Sequence, residues 1–124
     1  MRVAVLGLGN AGWNLHLPAL ADLPTATTVG ACDLDPARRD RAAARWRVPV
    51  FGDFDAMVRE THPEVIVVAT PPPHHADACL QAFSAGCHVI CEKPLATTLA
   101  EGRRIVEAAR AAGRRLALNY EFRT

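Results

Sequence analysis

A short strand that breaks into three glycines at the start of a helix leaves few folds open. Arg2-Val3-Ala4-Val5-Leu6 is apolar and rich in β-formers, and Gly7-Leu8-Gly9-Asn10-Ala11-Gly12 follows at once. The hexapeptide reads G-x-G-x-x-G, placed directly after a predicted strand and directly before a predicted helix. Each glycine has its own reason. Gly7 permits a tight strand-to-helix turn. Gly9 has no Cβ, so a pyrophosphate can approach the backbone. Gly12 lets the helix pack closely on the strand. Asn10, Ala11 and their neighbours open the helix, whose N–H groups and positive dipole end point at the phosphates. A glycine cluster alone also makes a plain structural turn. The placement of this one, and an acidic residue at the expected distance beyond it, favour a dinucleotide site.

That acidic residue is Asp33, which ends a second strand, Thr28 to Cys32, and lies 21 residues beyond Gly12. A dinucleotide fold puts there the carboxylate that accepts hydrogen bonds from the adenosine ribose. The same carboxylate repels a 2′-phosphate, which argues for NAD over NADP. A plainer role is open too: Asp33 or Asp35 caps the next helix, with Pro36 at its first position. Arg38 and Arg39 stand where they reach a 2′-phosphate or simply line a solvated helix face.

The rest of the chain alternates strand and helix. The first helix runs from Trp13 toward Ala21, and Pro18 is expected to kink or stop it. A second helix covers Pro36 to Trp46, and a short strand covers Val48 to Phe51. Asp53 caps a helix carrying Phe54, Met57 and Val58. Val65-Ile66-Val67-Val68-Ala69 is apolar without alternation, as in a central parallel strand covered on both faces. Thr70-Pro71-Pro72-Pro73-His74-His75 follows it at the carboxyl end, where open α/β sheets bind ligands. The prolines predict a stiff, extended turn rather than helix. His74 and His75 have no acidic or cysteine partner at ligand spacing, so no metal site is expected. Ala76, Cys79, Leu80 and Phe83 form a buried helical stripe that Gly86 ends. Val89-Ile90-Cys91 is a fifth strand. Thr98-Leu99-Ala100-Glu101 is a capping box, opening a helix to about Ala112 that buries Leu99, Ile105, Val106 and Ala109. Leu116-Ala117-Leu118 is the sixth strand.

Six alternations with short connections predict an α/β fold: a doubly wound parallel sheet with helices on both faces. The glycine loop predicts the strand order 3-2-1-4-5-6. The 124 residues suit one domain of 1–124, with half the chain hydrophobic. A net charge of +1 gives no reason to expect nucleic acid or an anionic membrane as partner. No apolar run approaches the roughly 20 residues of a membrane span. With a strand at the very start, no signal peptide is expected. Cys32, Cys79, Cys87 and Cys91 have no C-x-x-C spacing and fall in predicted strands and helices, so packed, reduced thiols in a cytoplasmic protein are expected.

The glycine loop, Ala69-Thr70-Pro71, His75 and Gly86-Cys87-His88-Val89-Ile90-Cys91-Glu92-Lys93-Pro94-Leu95-Ala96 together resemble the N-terminal domain of the Gfo/Idh/MocA oxidoreductases. The resemblance covers essentially the whole chain, and the run around Glu92-Lys93-Pro94 is its specific part. It implies that Glu92 accepts hydrogen bonds from the nicotinamide ribose. It implies that Lys93 sits at the hydride-transfer centre, where its charge stabilises developing alkoxide. It further implies that Thr70, Pro71 and His75 line the cofactor cleft, with Pro72 standing where the family usually has an asparagine. Asn119-Tyr120-Glu121-Phe122-Arg123 resembles the crossover into a second, substrate-binding domain, which is missing from this sequence. The resemblance therefore suggests the NAD-binding half of a sugar or polyol dehydrogenase, with little activity alone because its nicotinamide face would be open to water. The missing domain leaves open a truncated chain, a gene remnant or a stand-alone domain. Other expectations are a non-catalytic nucleotide-binding regulator, and a homodimer formed through the apolar face that the second domain covers in the family.

Overall fold

A computed structural model of the chain describes residues 1–119. Six strands, β1 (Arg2–Leu6), β2 (Thr27–Cys32), β3 (Val50–Phe51), β4 (Val65–Val68), β5 (His88–Glu92) and β6 (Leu116–Asn119), form one sheet. Every neighbouring pair is parallel, and the order is β3-β2-β1-β4-β5-β6, the doubly wound order the glycine loop predicts. A π-helical turn (Gly12–His16) runs into α1 (Leu17–Ala21), followed by α2 (Pro36–Trp46), α3 (Phe54–Thr61), α4 (His75–Ser84) and α5 (Leu99–Ala112).

Two hydrophobic layers sandwich the sheet. Val3, Val5, Ala31, Val65 and Val67 pack against Leu17 of α1 and Ala42 of α2, with Leu8 of the glycine loop closing that core. Ala4, Ile66, Val68, Val89 and Cys91 pack on the other face against Met57 of α3, Cys79 and Phe83 of α4, and Ile105 of α5. All four residues of β4 are buried, two in each layer. That is why this strand shows no alternation: neither face meets water. Burying each such side chain contributes about 1.5–3 kcal/mol. Trp13 and Trp46 meet edge to face, 6.4 Å between centroids, where the first helix packs on α2.

The sheet order reverses between β1 and β4, and the backbone is tightest there. Gly7 N–H donates to the Cys32 carbonyl at 2.8 Å, tying the glycine loop to the end of β2. Gly7 has φ +102°, and a Cβ on it would lie 2.7 Å from the Ala69 carbonyl carbon. A Cβ on Gly12 would lie 2.0 Å from the Gly7 carbonyl oxygen. These two glycines are therefore demanded by the fold itself.

Local caps follow the sequence. Asp35 accepts from Ala37 N–H at 2.9 Å, with Pro36 at the first helical position of α2. Asp53 caps α3 through Ala56 N–H at 3.0 Å. Thr98 Oγ1 accepts from Glu101 N–H at 3.1 Å, while the Glu101 carboxylate takes the hydroxyls of Thr97 and Thr98.

Four expectations are corrected. Pro18 does not stop the first helix; it lies inside the first turn of α1. A proline there has no N–H for the Asn14 carbonyl, and its ring would crowd it. The helix widens just before the proline, with Leu17 N–H reaching Gly12 O in a π turn. The proline run is not extended throughout. Pro71 is (φ −57°, ψ 147°), but Pro72–His74 form a 3₁₀ turn leading into α4. Proline fits a first helical turn, where no N–H is needed. On α5, Ile105 and Ala109 are buried, but Leu99 is 73% exposed and Val106 37%. Residues 105 and 109 lie four apart on one face, whereas 106 sits about 100° around from 105. Strand ends differ by a residue or two: β3 begins at Val50 and β4 stops at Val68. The 120–124 stretch, which resembles a crossover, lies outside the described residues.

A methyl group at Gly12 has nowhere to go, because the atom it meets is backbone. Gly12→Ala is expected to lower unfolding stability by about 3 kcal/mol, read as a drop in urea midpoint at unchanged slope.

Candidate functional site

The carboxyl ends of β1, β2, β4 and β5 gather nearly every residue that the sequence singles out. The glycine loop leaves β1 and opens into a helix, with Trp13 N–H bonded to Gly9 O at 2.9 Å. The N–H groups ahead of that bond belong to a first helical turn, which has no acceptors of its own. Gly9 differs from its two neighbouring glycines. A Cβ there would meet only the Arg38 guanidinium, at 3.7 Å, so the space above Gly9 is open.

Asp33 ends β2 beside the loop. Its Oδ2 accepts from Leu8 N–H at 2.8 Å and its Oδ1 from Asp35 N–H at 2.8 Å. Of the two residues considered for the helix cap, Asp35 is the cap, and Asp33 instead braces the glycine loop, a contact not anticipated from the sequence. A carboxylate has about four lone-pair sites, so both oxygens keep capacity for hydroxyl donors. Arg38 Nη1 lies 3.7 Å from Asp33 Oδ2. Arg39 is committed elsewhere, donating to the carbonyls of Asp33 and Leu34.

Thr70 and Pro71 leave the end of β4 and form a wall beside the glycine loop, with the Ala69–Thr70 peptide against Gly7. Thr70 Oγ1 is buried and has no hydrogen-bond partner among the described residues. His75 belongs under this wall rather than on it. Its ring is fully buried. Nε2 lies 2.7 Å from the Thr70 carbonyl and Nδ1 2.8 Å from the Pro94 carbonyl. The expectation that His75 lines the cleft is corrected to this extent: its side chain bridges the loops after β4 and β5, and any effect on a ligand passes through them. His74 is exposed. Among the described residues no three His, Cys, Asp or Glu side chains converge as a metal site.

Glu92 is the last residue of β5. Its Oε1 accepts from His16 Nε2, at the end of the π turn, and from Asn119 Nδ2, at the end of β6, at 2.7 Å. The His16 and Glu92 side chains are only 12% and 13% exposed. Lys93 follows, exposed, and the Lys93–Pro94 bond is cis. The sequence gives no reason to pair His16 or Asn119 with Glu92. The π turn moves His16 out of ordinary helical register, and Asn119 arrives through the β5–β6 pairing.

The chain matches a family model described as an oxidoreductase family with an NAD-binding Rossmann fold, over residues 1–120. The chain belongs to the Gfo/Idh/MocA oxidoreductases. It is 36% identical over 120 residues to an inositol 2-dehydrogenase of Rubrobacter xylanophilus, covering 94% of this chain and 33% of that protein. It superposes with a TM-score of 0.91, at 32% identity, on the WlbA dehydrogenase of Bordetella pertussis, solved with NADH and UDP-GlcNAcA; 96% of this chain and 34% of that one are covered. A second structure, the 3-ketoreductase KijD10 of Actinomadura kijaniata with NADP and TDP-benzene, gives a TM-score of 0.89 at 28% identity, covering 96% and 37%. The chain thus spans about a third of the length of these relatives.

The family's nicotinamide dinucleotide has two features here that suit it. An open cradle lies above Gly9 at a helix start, and a buried hydroxyl on Thr70 lacks a partner. Both ask for a polar ligand close to the backbone. No helix among the described residues is long and apolar enough to cross a membrane.

All four cysteines are unpaired and buried. Burial, chiefly, pushes the Cys32 thiol up to about 11 from 9.0, with Asp33 and Asp53 adding and Arg39 opposing. Burial also raises Cys87. Cys91 is raised by its contact with the Cys79 thiol and by burial. A thiol raised in the folded state stabilises fully below its unfolded value and loses that contribution as pH climbs through the folded one. The urea midpoint of the native chain should therefore fall between pH 9.0 and about 11. Cys32→Ala should make that decline shallower, in parallel melts of the two proteins.

Proposed function

We propose that this chain is the cofactor half of an NAD-dependent dehydrogenase acting on a sugar or polyol hydroxyl. The observation that carries the proposal is the open backbone at Gly9, set between fold-demanded glycines at a helix start. Gly7 and Gly12 are needed by the protein; the emptiness over Gly9 serves a ligand.

The roles follow from position. Gly9, Asn10, Ala11 and Gly12 present backbone N–H groups to a pyrophosphate, and Gly7, whose own N–H is held by the Cys32 carbonyl, shapes the turn that carries them. Asp33 accepts the adenosine ribose hydroxyls with the lone pairs left over from bracing Leu8 and Asp35. Thr70 and Pro71 wall the cleft, and the Thr70 hydroxyl gains the partner it lacks. Glu92 receives the nicotinamide ribose. Lys93 is the catalytic residue, its ammonium lowering the cost of alkoxide character on the substrate oxygen. When bound, the nicotinamide supplies the hydride acceptor or donor.

NAD is the preferred cofactor in this proposal, because a 2′-phosphate would meet the Asp33 carboxylate. Arg38 lies near enough to soften that repulsion but is itself drawn to Asp33 and Asp35. The relatives' own chemistry supports the substrate class: one is an inositol dehydrogenase, and another was solved with a nucleotide sugar.

Calorimetric titration of the purified chain tests this. NAD is expected to bind, and more tightly than NADP. Gly9→Ala should lose at least tenfold in NAD affinity, equivalent to about 1.4 kcal/mol, with no change in urea midpoint. Asp33→Asn should narrow the gap between NAD and NADP. Absence of binding by either nucleotide, in a folded chain, would defeat the proposal.

A further inference from the structure

His16, Glu92 and Asn119 end three different elements: the π turn, β5 and β6. Their side chains nevertheless converge on a single atom. Among the described residues, Glu92 Oε1 takes the donors His16 Nε2 and Asn119 Nδ2, and neither of these uses Oε2. The arrangement holds one carboxylate oxygen from two sides and leaves the lone pairs of the other for a further donor. His16 and Glu92 are mostly withdrawn from water. In such surroundings a donor to a carboxylate counts for more, and its loss leaves a charge poorly satisfied.

His16 reaches Glu92 because of the turn that precedes it. One extra residue in a helical turn rotates everything after it by about 100°. Here that residue is inserted between Gly12 and His16, where Leu17 N–H reaches back to Gly12 O. Wide turns of this kind re-aim side chains at functional sites. The same stretch begins at the glycine loop. One piece of helix thus joins the loop at the end of β1 to the carboxylate at the end of β5.

We propose that His16 is a positioning residue for the nicotinamide half of the cofactor. It fixes the Glu92 carboxylate in one orientation, with Oε2 available to the nicotinamide ribose, and the π turn sets its aim. This rests on the nucleotide site proposed above. It adds that the two halves of that site are aligned through residues 12–16.

Two ligands separate positioning from simple structural support. NADH carries the nicotinamide ribose, and ADP carries only the adenosine and diphosphate end. His16→Ala should weaken NADH binding about tenfold, the scale of one hydrogen bond to a charged group, and leave ADP binding within about twofold. His16→Gln, whose terminal amide can reach the same oxygen, should restore most of the NADH affinity. In the unmutated chain, the His16 ring ¹⁵N signals should shift on adding NADH and hold still on adding ADP. This readout needs no variant to fold. Equal losses for NADH and ADP would make His16 a structural prop and overturn the proposal, as would unchanged NADH affinity in His16→Ala. Failure of the unmutated chain to bind even ADP would instead bring down the nucleotide site, and this inference with it.

Discussion

Backbone crowding at the point where the sheet changes direction governs this molecule. Strand order reverses between β1 and β4, so the chain leaving β1 must turn against the start of the loop leaving β4. Gly7 lies against the Ala69–Thr70 peptide, and Gly12 lies against Gly7. A Cβ would come within 2.7 Å of backbone at the first contact and 2.0 Å at the second, so side chains are excluded from both. That exclusion brings the loop, the first helical turn and the Thr70 wall together, with Asp33 pinning Leu8 from the side. The open space over Gly9 follows from this crowding. The backbone is tight on either side of it and bare in between, which is the shape an anionic ligand requires.

Much of this architecture could be read from residue order because each signal was local. The apolar run Val65–Val68 and the caps at Asp35, Asp53 and Thr98 each depend on a few neighbours. α2 has the predicted bounds because Asp35 and Pro36 start it and left-handed Arg47 ends it. Legibility failed where two local rules competed. Pro18 is a helix breaker by composition, yet a wider turn absorbed it. Pro72 and Pro73 read as extended by number, yet the second and third prolines of the run suit a first helical turn. Leu99 and Val106 looked like core by hydrophobicity alone, but their angular positions on α5 face away from Ile105 and Ala109.

The candidate site divides along the same line. Its glycines and Asp33 were visible because spacing encodes them. The contact between His16 and Glu92 was invisible because the residues are 76 apart in sequence and depend on a helical irregularity. The buried state of His75 was equally hidden: a histidine after three prolines resembles an exposed turn residue until its two carbonyl partners are known. Charge at this end of the sheet is therefore arranged in layers. Asp33 and Glu92 each spend part of their bonding capacity on the protein, and what remains is aimed rather than free to wander.

His75 also limits what may occupy its own position. Its two nitrogens sit on different edges of one flat ring, and each meets a main-chain carbonyl from a different loop. A carboxamide groups its polar atoms at one tip, an ammonium is a single point, and an indole has one nitrogen. None spans two separate carbonyls as this ring does. The ring therefore works as a spacer of fixed width, setting how far apart the ends of β4 and β5 can stand. Loops elsewhere on this domain can change length at modest cost. These two are held to a common gauge, so an insertion in either would have to preserve the width of an imidazole.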